Sequence, residues 1–505
     1  MITRRPYAVA AVYLGTFMAS LAISIVSVAL PAIQADLGIS LSGLQWVVGA
    51  YTLCLSAFML SAGPLADRYG RKRTWLGGVA VFTFGSIICS LAPSLAMLIA
   101  GGAMQGVGGA LVIPGALSIL TQAFPDPVQR AHVIGGWSSF SAISLILGPM
   151  LGGVLVDHVG WPSIFLVNLP IGALTIGLGL WSVQESANPD HAALDPSGQA
   201  LSVIFLGVLT YALISAGHEG WDAGPTLAAL LAAVVAFVLF IAVELRSSRP
   251  VLPVDLFRRG DFACTNFASF VLGFSGYSSL FLFSLFLQQA QGWSATQTGW
   301  RMAPVFLAMG IVSPFFGRLS KRYGTGRLMI VGYILLGLSM LAMAAFTSVT
   351  PYSIIALCFA LLGISLGLTV PATGAAAMAS APRERTGAAS ATMNALRQGG
   401  MTIGIALLGT FMSVRAVASL GGVLSSMGLP GAAALAGTAV HRHERPATLH
   451  IAPDLFKRLL EDAYAHGFGI AAASAGILGL VAATALVVTA HRAARADQPA
   501  TIGLE

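Results

Sequence analysis

The chain has 505 residues, of which 56% are hydrophobic and only 9% charged, with a formal net charge of +7. A soluble domain carries about 25% charged residues; a chain this poor in them cannot cover itself with polar surface in water, whereas a bilayer crossed by one helix per ~20 apolar residues removes the problem. The basic residues sit in short tufts between apolar runs, which argues against nucleic-acid binding, and Cys54, Cys89, Cys264 and Cys358 occupy separate apolar runs without ligand spacing, so no disulfide, metal or other cofactor is expected.

In chain order, Arg4 and Arg5 lead into an apolar stretch too long for the core of a signal peptide, which therefore reads as a first span. Apolar runs fall at 8–31, 43–65, 74–92, 95–122, 131–156, 162–183, 198–216, 225–245, 262–289, 298–317, 327–347, 352–378, 386–412 and 466–490. Their lengths predict fourteen transmembrane helices, an all-α membrane protein whose even count puts both termini on one side of the bilayer. With the N-terminus in the cytoplasm, 19 of the 26 basic residues are cytoplasmic and five (Arg415, Arg442, Arg445, Lys457, Arg458) share one outer loop, with Arg301 and Arg397 inside spans. The positive-inside rule thus predicts a multi-pass protein of a bacterial-type inner membrane with both termini cytoplasmic.

An internal repeat divides the chain. GPLADRYGRKR at 63–73 returns as GRLSKRYGTGR at 317–327, an offset of 254, and Gly106–Pro114 is echoed by Gly363–Pro371. Two six-helix halves follow, 1–190 and 251–505, with spans 7 and 8 as an inserted pair at 191–250. The largest segment expected to lack a span is the outer loop 413–465, whose end, DLFKRLLEDAYAHGF, has the apolar spacing of a helix lying on a membrane surface. His441, His443 and His450 in that loop resemble a metal site by composition alone, and no metal is expected there.

Several stretches carry a family pattern. The loop after span 2 reads Gly63-Pro-Leu-Ala-Asp67-Arg68-Tyr-Gly70-Arg71-Lys72-Arg73, and span 5 reads Leu147-Gly148-Pro149-Met150-Leu151-Gly152-Gly153. Gln45-Trp46 and Tyr51 in span 2, Asn168-Leu-Pro170-Ile-Gly172 in span 6, and Asn394 with Arg397-Gln398-Gly399-Gly400 in span 13 complete the set. In order and on the right spans, they make the chain similar over nearly its whole length to the fourteen-helix drug–proton antiporter branch of the major facilitator superfamily. The resemblance implies the major facilitator fold, two six-helix halves that rock about a central pathway, with protons as coupling ion.

The chemistry of the motifs is readable. Glycines at 63 and 70 permit a tight turn, and Asp67 can accept from a helix N-terminus or a nearby Arg, holding the halves shut on the cytoplasmic side; the plainer account is a topogenic charge cluster. Gly148, Gly152 and Gly153 give span 5 a small-residue face and Pro149 a bend, serving a hinge or packing alone. Two stripes could line a pathway: Thr16, Ser20, Ser24 and Ser27 on span 1, and Phe267, Phe270, Phe274, Tyr277 and Phe281 on span 9. Hydroxyls that bond their own helix, or aromatics that face lipid or core, explain the same spacing. Arg397, about 16 Å into span 13 at 1.5 Å per residue, either meets backbone carbonyls and Asn or Gln side chains or contacts an anionic or polar substrate group. Arg301, one turn into span 10, is expected to snorkel to the outer interface.

Two departures stand out. The resemblance implies an Asp where Ala22 stands and an Arg three residues before Gln105, where Gly102 stands. No Asp, Glu or His lies in the middle of any predicted span, so the usual proton-coupling chemistry does not carry over. The expected function is secondary export of small hydrophobic or amphipathic compounds by a monomer. An exporter or exchanger of organic anions and a transporter-like sensor without transport are the alternatives. No nucleophile–base or phosphate-binding pattern suggests an enzyme.

Overall fold

The computed structural model describes residues 5–187, 195–247, 250–382, 385–447, 449 and 451–496. Arg4, Arg249, Arg383, His450 and the expected boundary at 190/191 lie outside the described residues. Every long apolar run is helical, because only a helix satisfies all its own backbone groups without water. The helices are α1 (Arg5–Leu37), α2 (Leu41–Tyr69), α3 (Arg71–Ser90), α4 (Leu95–Ala123), α5 (Pro127–His158), α6 (Ser163–Ser182), α7 (Pro196–Glu219), α8 (Gly224–Arg246), α9 (Gly260–Ala290), α10 (Ala295–Tyr323), α11 (Thr325–Met343), α12 (Tyr352–Ala379), α13 (Thr386–Ser426), the short α14 (Ala432–Arg442) and α15 (Pro453–Ala496). Among the described residues thirteen are long and apolar enough to cross a membrane. The fourteenth, α3, is 20 residues long and opens on Arg71, Lys72 and Arg73, which lower its mean hydropathy.

Side-chain caps mark where several helices begin. Ser40 accepts from Gly43 N–H at 3.3 Å, Asp126 from Gln129 N–H at 2.8 Å, and Ser294 forms a capping box with Gln297. The two copies of the repeat end their helices alike, at Gly70 (φ 102°) and Gly324 (φ 84°), a backbone that L side chains avoid. The second echo is also structural. A Cβ on Gly106 of α4 would lie 2.4 Å from Tyr51 O of α2, and one on Gly363 of α12 would lie 2.1 Å from Val305 O of α10. The corresponding helix pairs of the two halves thus meet backbone to backbone at equivalent glycines.

Helices α1–α6 pack on one another, and α9–α13 with α15 do the same. Between them α7 lies across the seam of α2 and α13: Gln199 Nε2 donates to Ala57 O at 2.9 Å and Thr410 Oγ1 to Leu213 O at 2.7 Å. Helix α8 rests on α7 and exposes Leu231, Val234, Val238 and Leu239, the surface of a helix facing lipid.

The segment 413–465, expected as an outer loop, differs from expectation. Helix α13 runs on to Ser426, and α15 is one 44-residue helix from Pro453. The stretch 454–468 does not lie flat: Tyr464 is fully buried, donates to Val440 O of α14 at 2.6 Å, and Phe468 stacks on Phe286 of α9. Phe456, Leu460, Ala463 and Tyr464 are buried against other helices, while Leu455 stays exposed, so most of the apolar spacing belongs to packing.

Candidate functional site

The halves meet on the face opposite the chain termini. There Ser284 Oγ donates to Ser27 O, Gln288 Nε2 to Val28 O at 3.0 Å, and Gln289 Nε2 to Gln34 Oε1 at 2.8 Å. Gln34 Nε2 in turn donates to His441 O at 3.1 Å, so α14 closes over the junction of α1 and α9. Asp157, at the end of α5, accepts from Ser294 Oγ at 2.9 Å and Thr296 N–H at 2.8 Å, capping α10 across the halves. The seam of α2 and α13 continues this closure to mid-depth, through Gln45 on Ile405 O and Ala406 O, Thr402 on Thr52, and Ser56 on Ala395 O. Beyond Ser56, no hydrogen bond or ion pair joins the two halves on the terminus-bearing side among the described residues.

On that side α5 and α10 part around a cleft of about 920 Å³. Its walls are Gly135, Gly136, Ser138, Ser139, Ala142 and Ile143 facing Leu307, Met309, Ile311 and Pro314, with His132 the one titratable side chain lining it. The molecule is closed on one face and open between its halves on the other.

The LGPMLGG stretch of α5 works in two directions. Gly148 and Gly152 face α1, where added Cβ atoms would lie 1.9 Å from Ser24 Oγ and 2.7 Å from Ile25 Cγ1. Gly153 and the Pro149 carbonyl face α10 of the other half: a Cβ on Gly153 would sit 2.4 Å from Ala295 O, and one on Gly299 would sit 2.1 Å from Pro149 O. Close approach to α1 within the half and to α10 across it explains the glycine density better than a single small-residue face.

The hydroxyl stripe of α1 also lies against α5. Trp137 Nε1 donates to Thr16 Oγ1 at 2.7 Å and Ser20 Oγ pairs with Ser141 Oγ at 2.9 Å, while Ser24 and Ser27 bond Leu21 O and Ser24 O of their own helix. The aromatic stripe of α9 does not keep one face. Segments Leu272–Tyr277 and Phe286–Ala290 are π-helical, and each adds a residue to the local turn. Phe267 is 37% exposed beside α15, Phe270 stacks on Phe274 at 6.2 Å, and Phe281 is buried.

The π-helical turn accommodates α13. Cβ atoms on Gly273 and Gly400 would lie 1.8 Å from Arg397 O and 2.1 Å from Phe270 O. Arg397 is half-buried beside this crossing; its Nη2 donates to Asn394 Oδ1 at 2.5 Å and its guanidinium lies 5.5 Å from the Tyr277 ring centre. Gln398 is buried on the same helix. At the end of α10 away from the chain termini, Arg301 stacks on Trp293 at 3.6 Å.

The two departures converge. Ala22 and Gly102 line one cavity of about 20 Å³ with Tyr51, Gln105, Val47 and Phe165. Tyr51 OH donates to Ala19 O at 2.9 Å, and Gln105 Nε2 to Ser86 Oγ at 2.7 Å. Room for one water remains, and no charged side chain lines it.

In the loop motif Asp67 takes Arg71 at 2.8 Å, within its own half. A residue the sequence reading missed, Glu185, caps α3: its carboxylate accepts the Lys72 and Arg73 N–H groups at 3.0 and 3.1 Å, beside Gly70, where a Cβ would lie 2.7 Å away. Gly63 has open space around it, Arg68 lies over Tyr69 and Arg73 is largely exposed near Glu185. Asp157 and Gln34 were missed too. The Ser294-x-x-Gln297 capping box was the legible signal for the former; nothing local signals the latter. His441 pairs with His218 of α7 at 5.1 Å and His443 with Tyr464 at 5.3 Å, and the described residues hold no three-ligand cluster for a metal.

The profile of the major facilitator superfamily matches residues 12–405 and 265–496. The chain is 40% identical over 407 residues to the multidrug resistance protein Stp of Mycobacterium tuberculosis, covering 81% of this chain and 76% of that one. It is 32% identical over 507 residues to the tetracenomycin C resistance and export protein of Streptomyces glaucescens, covering 97% and 92%. Among solved structures, a bacterial homologue of the lysosomal transporter Spinster, inward-facing and unoccupied, superposes with a TM-score of 0.66 over 98% of this chain and 99% of that one at 18% identity, a likeness of fold. The chain therefore belongs to the major facilitator superfamily, and it is a membrane transporter rather than an enzyme.

Proposed function

We propose that this transporter exports small hydrophobic or amphipathic compounds by alternating access, as a monomer in a bacterial inner membrane with both termini in the cytoplasm. The cleft between α5 and α10 carries the reading: it lies between the halves on the side rich in basic residues, its walls are aliphatic, Gly and Ser, and the opposite face is closed. On that orientation the molecule is inward-open, ready to load from the cytoplasm or the inner leaflet. Relatives named for multidrug resistance and for tetracenomycin C export support the same substrate class. The two halves, taken as 1–190 and 251–505, rock about the α2–α13 and α5–α10 seams, with Gly148, Pro149, Gly152 and Gly153 at the tightest of these contacts. Asp67, with Gly63, Gly70 and the basic residues around it, guards the cytoplasmic edge.

Arg397 bears on the choice between cations and anions. Asn394 and Tyr277 already engage it, so its charge has partners within its own half and does not require an anionic cargo. Protons remain the coupling ion that the resemblance implies, and any carrier of them lies outside the cavity of Ala22 and Gly102. The test is accumulation of cationic dyes, neutral amphiphiles and organic acids in an efflux-deficient bacterial host. Lower accumulation of dyes and amphiphiles on expression is expected; lower accumulation of the acids alone would overturn the reading.

A further inference from the structure

The inserted pair has no counterpart in a two-half transporter, and at its terminus-bearing end it holds two carboxylates, Glu244 buried and Asp195 half-buried with one oxygen shut from solvent. Glu244, one turn from the end of α8, is only 2% exposed. Its Oε2 accepts the Leu252 N–H at 2.9 Å, on the segment that leads into the second half, while Oε1 is buried without a partner. Asp195 caps α7 through Oδ1, which accepts from Gly198 N–H at 2.8 Å and Ser197 Oγ at 2.7 Å; its Oδ2 is buried and also unpartnered. The two orphan oxygens face one point: a Cβ on Gly198 would lie 2.4 Å from Glu244 Oε1 and 3.2 Å from Asp195 Oδ2.

Two buried acceptor oxygens turned towards the same glycine are unfavourable, and two like charges there are worse. The groups facing them are the hydroxyls of Ser197 and Ser247, and among the described residues no Lys or Arg pairs with either carboxylate. A divalent cation asks for six or more oxygens, and only two converge here, with Gly198 against them. We propose that Asp195 and Glu244 form a proton-binding site, a carboxyl–carboxylate pair in which Glu244 Oε1 carries the hydrogen and Asp195 Oδ2 accepts it. The proton belongs on Glu244 because Asp195 has the stronger claim to be charged. Burial works to raise the Asp195 carboxyl, but bonds from Gly198, Ser197 and Ser247 outweigh it and hold that group below its ordinary value, and the α7 N-terminus favours an anion. The site ties α7, which spans both halves, to the strand of chain entering the second half. Loss of the proton leaves two facing charges and loosens that tie, so the pH of this face sets how firmly the inserted pair holds the halves.

Infrared spectroscopy of the substrate-free protein in detergent tests the site independently of what is transported. The carbonyl band of a buried protonated carboxyl is expected at pH 7, absent in Glu244→Gln and shifted but retained in Asp195→Asn. Absence of that band in the wild type, its survival in Glu244→Gln, or an unshifted band in Asp195→Asn would each overturn the proposal. A sodium-dependent rise in thermal stability of the wild type at pH 7, without the band, would assign the site to a cation instead. If Glu244→Gln does not fold, the wild-type band and its shift in Asp195→Asn decide alone.

Discussion

Ala22 and Gly102 stand 80 positions apart in the sequence and line the same small cavity. Gly102 has room for a side chain, its nearest non-local atom being 3.7 Å from an added Cβ. Ala22→Asp alone should cost about 3–5 kcal/mol of stability as an uncompensated buried charge, and Gly102→Arg alone should also be destabilising. The double variant should recover a large part of both losses, because the charges would meet across the cavity. Thermal unfolding of the four proteins in detergent checks this, and strictly additive losses would mean that the two positions do not couple. At Arg397 the partners are already in place, so Arg397→Gln should reduce transport of a matched cationic and anionic dye about equally. A selective gain for the cation, measured in proteoliposomes, would put the guanidinium in the pathway after all. Glu185→Ala removes the cap of α3 and should cost about 0.5–2 kcal/mol, with membrane insertion unchanged.

Helix α14 is the element whose hold depends most plainly on pH. Burial, and then the neighbouring His218, lower the proton affinity of His441 below its ordinary value of 6.5. The folded state therefore prefers the neutral ring. The stability this contributes is complete above that value and is lost as the pH falls below it. Lowering the pH from 7.5 to 5.5 should speed amide exchange in Ala432–Arg442, and His441→Gln should remove most of that pH effect. Exchange indifferent to pH in the wild type would show that the ring is not held neutral. Helix α9 is read differently: its π-helical turns let Gly273 press on the Arg397 carbonyl, so Gly273→Ala should separate α9 from α13 and cost about 1–3 kcal/mol or more.

For the whole molecule the asymmetry of closure makes a kinetic prediction. On a background without the native cysteines, cysteines at Asp157 and Ser294, whose side chains touch, should be bridged quickly by a short bifunctional thiol reagent in the resting protein. Cysteines at Ile143 and Leu307, on opposite walls of the cleft, should be bridged slowly and only when substrate or turnover brings the walls together. Either bridge should stop transport, since alternating access requires both seams to open in turn. Equal bridging rates at the two positions would mean that the resting protein samples both states evenly.

The fourteen spans, their order and the twofold repeat follow from sequence alone, because bilayer thickness fixes helix length and water cannot satisfy a buried backbone. Helix ends were legible too, wherever a capping side chain or a positive-φ glycine such as Gly70 or Gly324 marks them. Which face a residue presents was not legible. A stripe at helical spacing holds one face only while the helix keeps 3.6 residues per turn, and the π-helical turns of α9 break that register. The segment 413–465 was misread for a related reason, since an apolar face looks the same whether lipid or a neighbouring helix covers it. Contacts between distant positions were decided by tertiary structure alone: the meeting of Ala22 with Gly102, Gln34 with Gln289 and His441, and Asp195 with Glu244. Nothing local distinguishes a carboxylate at a helix end that reaches water from one, like Glu244, that the packing of a second helix has shut away.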